Sequence, residues 1–194
     1  GLGCNNFGMT INQNQTTQVV EAALDHGITL FDTADVYGEK GKSEKFLGRA
    51  LGKKRQNVII ATKFGNPMDT NPLNQGASRR HIIQSVEQSL RRLSTDYIDL
   101  LQTHWPNSEV NLDETLNTME ILKDQGKILN YGLGNPSILD LKFAIKNNYD
   151  ICSIQIEYNL LERDIEVEIK PFCDENNILI LAWSPLLGGR EADK

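Results

Sequence analysis

Short apolar runs alternate with amphipathic stretches along the whole chain. The runs are "ITLF" (28–31), "NVIIAT" (57–62), "YIDLLQT" (97–103), "KILNYGLG" (127–134), "ICSIQIE" (151–157) and "ILILAW" (178–183). Their length and β-branched content predict strands. Between them lie segments with helical periodicity. Residues 16–27 offer Thr16 or Thr17 as N-cap and Gly27 as stop. Residues 43–54 begin with Ser43 as cap and Glu44 in the first turn, and residues 78–93 place Ile82, Val86, Leu90 and Leu93 on one face. Residues 111–126 end at a glycine, and residues 137–148 follow Asn135-Pro136. Residues 166–177 contain Pro171, which kinks or shortens a helix.

Strand after helix, with strands nearly continuous in apolar character, predicts a parallel sheet covered by helices. An open doubly wound sheet and a (β/α)8 barrel both satisfy this. The first turn, "GLGCNNFGMT", lacks the GxGxxG spacing of a dinucleotide-binding sheet, so the barrel fits better. Counting a first strand at Gly1–Cys4 gives seven strands, and 194 residues fall short of the roughly 250 usual for that fold. The expected fold is therefore α/β, an incomplete (β/α)8 TIM barrel of about seven βα units forming one domain over residues 1–194. Strands one and seven are expected to be open edges of a piece of a longer protein. Alone, such a chain is expected to be weakly stable, to dimerise through those edges or to aggregate.

A net charge of −6 argues against a nucleic-acid or anionic-membrane surface, which needs clustered Lys and Arg. No apolar stretch approaches the roughly 20 residues of a membrane span, and "GLGCNNFG" does not read as a leader. Cys4, Cys152 and Cys173 form no metal-binding spacing, which predicts reduced thiols in the cytoplasm and no metal.

In a barrel the carboxyl ends of the strands share one rim. That rim would collect Asp32 and Tyr37, Lys63, His104 and Trp105, Gly134 and Asn135, Gln155 and Tyr158, and Trp183 and Ser184. Taken singly, each has an ordinary explanation. Asp32 could cap a turn, Tyr37 could pack, Lys63 could snorkel to the surface, and His104 could be a satisfied core histidine. Asp35 reads as solvated or a loop cap, although spacing alone lets it exchange roles with Asp32. Taken together, they make an acid. A phenol is a poor acid at neutral pH, and a neighbouring ammonium lowers its pKa. A carboxylate keeps the ammonium charged, and an imidazole orients a carbonyl oxygen. With no paired nucleophile and no metal cluster in the sequence, a cofactor would have to bring the hydride.

The motifs "FDTADVYG", "ATKFG", "LQTHWP", "GLGNPS", "QIEYN" and "AWSPL" resemble, in order, the strand-end motifs of the aldo-keto reductases. The stretch from Ser78 to Pro106 is similar to the branch holding bacterial general-stress reductases and potassium-channel β-subunits. The resemblance implies a (β/α)8 barrel that reduces small aldehydes and ketones with NADPH and no metal. It implies Tyr37 as general acid, Lys63 lowering its pKa, Asp32 paired with Lys63, and His104 orienting the carbonyl. It implies Asn135 and Gln155 on the nicotinamide carboxamide, Trp183 stacked on the ring, and Ser184 and Leu186 near the pyrophosphate. Gly134 stands where the family often has Ser. Trp105 and Phe7 would line the substrate pocket. Arg190 and Lys194 lie too near strand seven to grip a 2′-phosphate, so NADH stays open. A nicotinamide-binding regulatory subunit and an inactive truncated fragment are the alternatives. The loop "GNPMDTNPLNQGAS" (65–78) reads as a mobile rim loop.

Overall fold

Each apolar run becomes a strand and each amphipathic stretch a helix packed over the sheet. The computed structural model describes residues 1–189, so Arg190 and Lys194 lie outside the described residues. The order is β1 (Leu2–Gly3), α1 (Gln13–Asp25), β2 (Leu30–Asp32), α2 (Tyr37–Leu51), β3 (Ile59–Phe64), α3 (Arg79–Leu93) and β4 (Ile98–Thr103). It continues with α4 (Leu112–Asp124), β5 (Ile128–Gly134), α5 (Ile138–Lys146), β6 (Ser153–Glu157), α6 (Ile169–Glu175) and β7 (Leu179–Trp183). No described helix is long and apolar enough to cross a membrane.

All seven strands lie in one sheet in chain order, and every neighbouring pair is parallel. A doubly wound sheet reverses its winding at a switch point, whereas this sheet never does. Constant winding is the topology of the (β/α) barrel, here with seven strands. Among the described residues, β1 and β7 are the two ends of the sheet.

Register sorts the side chains onto two faces. Phe31 pairs with Ile60, Leu101 with Tyr131, and Leu133 with Ile154. All six are buried, on the face that meets the helices. There they join Ile82, Val86 and Leu93 of α3 and Leu116, Met119 and Leu122 of α4 in one core cluster. Each such side chain taken from water is worth about 1.5–3 kcal/mol, which is what holds these short helices in place.

Two helix starts differ from expectation. The N-cap of α1 is Asn12, whose side chain accepts from the Gln15 amide while the Gln15 side chain accepts from the Asn12 amide at 2.9 Å. Thr16 is instead a buried residue inside the helix. Ser43 is not a cap either. Its hydroxyl donates to the Cys4 carbonyl at 2.7 Å and lies 2.8 Å from the Thr33 hydroxyl, tying α2 to the strand ends. The backbone of Gly38–Gly41 is left-handed, and a Cβ on Gly38 would sit 2.2 Å from the Phe7 carbonyl. Helical geometry proper therefore begins beyond Gly41, after a left-handed turn in which the close approach of Phe7 leaves room only for glycine at position 38.

Glu44 is fully buried between α2, β3 and α3. It accepts from the Thr62 hydroxyl at 2.6 Å and from Arg92 Nε at 2.5 Å. Arg92→Met leaves that carboxylate without its cation, which is expected to cost about 3 kcal/mol or more in urea unfolding. Adding Glu44→Gln should recover most of the loss. Equal midpoints for Arg92→Met and wild type would mean that the pair carries no such weight.

Candidate active site

The strands β2 and β3 extend further than their apolar runs suggest, so Asp32 and Lys63 are strand residues rather than loop residues. Asp32 pairs with Ala61, and Lys63 lies two positions on, so both side chains share the inner face. Lys63 is only 2% exposed. Its Nζ donates to Asp32 Oδ1, Asp32 Oδ2 and the Thr33 carbonyl, each at 2.8 Å. Three ammonium protons have three acceptors, as a lysine in that position requires. The structure thereby chooses Asp32, not Asp35, as the lysine's partner.

Asp35 is neither solvated nor a loop cap. It is fully buried, its main-chain amide donates to the Lys63 carbonyl at 3.0 Å, and its Oδ2 accepts from the Ser85 hydroxyl of α3 at 2.8 Å. Burial, then the nearby Glu44 charge, pushes its pKa up to about 7. It points to the opposite side of the sheet from Asp32 and fastens the turn that carries Tyr37.

The Tyr37 hydroxyl lies 3.5 Å from His104 Nε2, with the rings edge to face at 5.4 Å. Lys63 Nζ sits 5.1 Å from the Tyr37 ring centroid. The expectation that this ammonium lowers the phenol's pKa is not met in this state. Burial, followed by the Asp32 charge, raises it. The lysine's protons are spent on Asp32 and Thr33, and it faces the ring rather than the hydroxyl. Tyr37 therefore holds its proton firmly until a base arrives. Burial, then the Lys63 charge, lowers His104 to about 4, so the imidazole is neutral at pH 7. His104 Nδ1 is 3.2 Å from Nδ2 of Asn66.

On the facing wall, Asn135 adopts a φ of 51°, and its amide donates to the Gln155 carbonyl at 2.7 Å. Its Oδ1 accepts from Trp183 Nε1 at 2.8 Å, and its Nδ2 donates to the His104 carbonyl at 3.1 Å. One amide proton and one lone pair remain for a ligand. Trp183 stands edge to face with Trp105 at 6.4 Å. A Cβ on Gly134 would come within 2.2 Å of the Thr103 carbonyl, so a serine does not fit there without a backbone shift.

Asp32, Tyr37, His104, Trp105, Asn135, Gln155, Trp183, Ser184 and Leu186 line one cleft of about 890 Å³. Leu2, Leu30, Ile180 and Ala182 line it too, so it runs along the open interior between β1 and β7. Phe7 is not among them. It is 2% exposed and packed in the core. Tyr158 turns aside to donate to Glu166 at 2.7 Å. Asn66, the Thr33 carbonyl and the Asp35–Ser85 clamp were not legible as site components. A backbone oxygen leaves no sequence signal, and Asn66 lies among other Asn and Pro residues that all read as loop. That loop is internally tied, with Gly76 donating to the Gly65 carbonyl at 2.8 Å and Asn74 Nδ2 to Asp69 at 2.8 Å.

The sequence profile of the aldo/keto reductase family matches residues 1–194. Aldo-keto reductase YhdN of Bacillus subtilis is 40% identical over 97% of this chain and 58% of that protein. A probable voltage-gated potassium channel subunit beta of Arabidopsis thaliana is 31% identical over 94% of this chain and 58% of its own length. Among solved structures, an aldo/keto reductase from Klebsiella pneumoniae in complex with NADP and acetate superposes with a TM-score of 0.87 at 31% identity, covering 100% of this chain and 66% of that one. The chain thus spans about three fifths of the length of the curated relatives it matches.

Asp35 makes stability depend on pH. An unfolded carboxyl ionises near 3.8 and the folded one near 7, so between these values the folded state holds the extra proton. The contribution of Asp35 to stability is full below about pH 4 and is lost as pH rises through 7. Asp35→Asn should remove that slope from a pH series of urea midpoints. Parallel curves for the two proteins would sink the assignment.

Proposed function

Because the chain belongs to the aldo/keto reductase family, we propose that the whole protein reduces aldehydes or ketones to alcohols using NADPH, with Tyr37 as proton donor. The observation that carries this reading is Tyr37 placed with its hydroxyl 3.5 Å from a neutral imidazole and its ring 5.1 Å from an Asp32-held ammonium, in a cleft walled by Asn135 and Trp183.

The residues fit a nicotinamide group. Asn135 keeps a free proton and a free lone pair for a carboxamide, Gln155 lines the same wall, and Trp183 offers an indole held by its N–H. Ser184 and Leu186 line the same cleft and would approach the pyrophosphate. When bound, NADPH supplies the hydride that the carbonyl carbon takes up. This chain's part is to manage the oxygen. As negative charge builds there, His104 and Tyr37 donate hydrogen bonds to it, and the Tyr37 proton crosses over. An alkoxide is a far stronger base than a phenolate, so the transfer runs downhill despite the raised phenol pKa. Lys63 then stabilises the phenolate, and Asp32 keeps Lys63 charged while it does so. Trp105, about half exposed at the cleft mouth, would contact the substrate.

A second reading, a nicotinamide-binding regulatory subunit, is supported by the likeness to the Arabidopsis channel subunit. Turnover of simple aldehydes by the full-length protein separates the two.

In that protein, Tyr37→Phe is expected to lower carbonyl reduction by about 10²–10⁴-fold, the usual weight of a general acid. NADPH should still quench Trp fluorescence. Retained turnover would take the proton-donor role from Tyr37. Lys63→Met should silence turnover as well, and an unaltered pH–rate profile in that variant would separate Lys63 from the phenol.

A further inference from the structure

We propose that Asn66 is a positioning residue that fixes His104 as its Nε2–H tautomer and so aims the Tyr37 proton into the cleft. The tautomer follows from the Asn66 amide turning its nitrogen to His104, while its consequence for Tyr37 rests on the function proposed above.

An amide nitrogen donates and cannot accept. With Asn66 Nδ2 at 3.2 Å, His104 Nδ1 must present its lone pair. A neutral imidazole carries one proton, which is then on Nε2, the atom 3.5 Å from the Tyr37 oxygen. The ring is kept neutral because the buried site and the Lys63 charge both oppose imidazolium. Before a substrate enters, Nε2–H therefore points at the phenol oxygen, whose own hydrogen must turn elsewhere; an incoming carbonyl oxygen then meets a donor from each ring. The other tautomer would reverse this. A bare Nε2 would accept the Tyr37 proton and draw it away from the substrate. One amide on a loop thus sets the direction of a hydrogen bond that the catalytic groups themselves leave undetermined.

Asn66 is held to this task by its backbone. Gly65 leaves β3 with a φ of 118° and accepts from Gly76 at the base of the loop. Pro67 confines the residue before it to extended geometry. The His104 amide donates to the Phe64 carbonyl at 2.9 Å, clamping the two strand ends beside the contact. The other neighbour of His104, Asn135 Nδ2, takes its main-chain carbonyl and leaves the ring alone.

The test is nitrogen NMR of the full-length protein labelled with ¹⁵N-histidine, at a pH where His104 is neutral. Wild type is expected to show a protonated, pyrrole-type Nε2 and a pyridine-type Nδ1. Asn66→Asp presents only acceptor oxygens, so its two resonances should exchange character. Asn66 is half-buried on a loop, so the variant should fold, and the wild-type spectrum alone already tests the tautomer. A protonated Nδ1 in wild type would overturn the proposal, as would an unchanged Nε2–H in Asn66→Asp. Wild-type turnover of an aldehyde, measured on the same sample, reports on the function separately.

Discussion

A lysine ammonium enclosed by strands needs an acceptor for each of its protons, and most of the site follows from satisfying Lys63. An uncompensated charge at that depth would cost several kcal/mol. Asp32 supplies two acceptors and the Thr33 carbonyl the third. These contacts dictate where β2 must stop and how the chain leaves it. The next residues inherit that geometry. The Asp35 amide returns to the Lys63 carbonyl, and Tyr37 arrives beside the ammonium at the start of α2. The ion pair is thus both the charge the phenol will need and the device that delivers the phenol.

The sheet then separates two acidic systems that would otherwise interfere. Asp32 works on the inner face against Lys63. Glu44 and Asp35 are buried on the outer side, among Thr62, Ser85 and Arg92. Arg92 is bonded to Glu44, and burial followed by the Glu44 charge pushes the Asp35 pKa towards neutrality. Its hydrogen bond to Ser85 binds the Tyr37 turn to α3 without placing a second full charge near the phenol. The left-handed tract at Gly38–Gly41 completes the turn, because the Phe7 carbonyl occupies the space a side chain would need.

The far wall is organised around Asn135 rather than around its aromatic partner. Asn135 grips Trp183 through the indole N–H and His104 through the main chain, so one amide spaces the stacking surface from the imidazole. Gly134 lets the β4 and β5 ends approach closely enough for that bridge. A neutral His104, a protonated Tyr37 and a half-satisfied Asn135 describe a site that holds donors ready without carrying much net charge at its centre.

The order of strands, the parallel sheet and the rim on which Asp32, Tyr37, Lys63 and His104 gather were legible in the sequence, because hydrophobic period and strand-end position are local properties. The motif series pointed to the family for the same reason. Other features were not legible. Asp32 and Asp35 are three residues apart, and only the fold decided that the first ends β2 facing the lysine while the second faces the helix layer from the turn beyond. Phe7 read as a pocket residue until packing put it in the core. The caps of α1 and α2 moved because Asn12 closes a reciprocal pair with Gln15 and leaves Thr16 buried inside the helix, while the Ser43 hydroxyl is bonded to the strand ends. The phenol's pKa went up rather than down because burial, and then the Asp32 charge, oppose its ionisation. Asn66 and His104 are 38 residues apart, and nothing near either one names the other. Sequence alone determined which groups could act. Tertiary structure decided which proton faces which lone pair, since hydrogen bonding and desolvation depend on distances that only the packed chain sets.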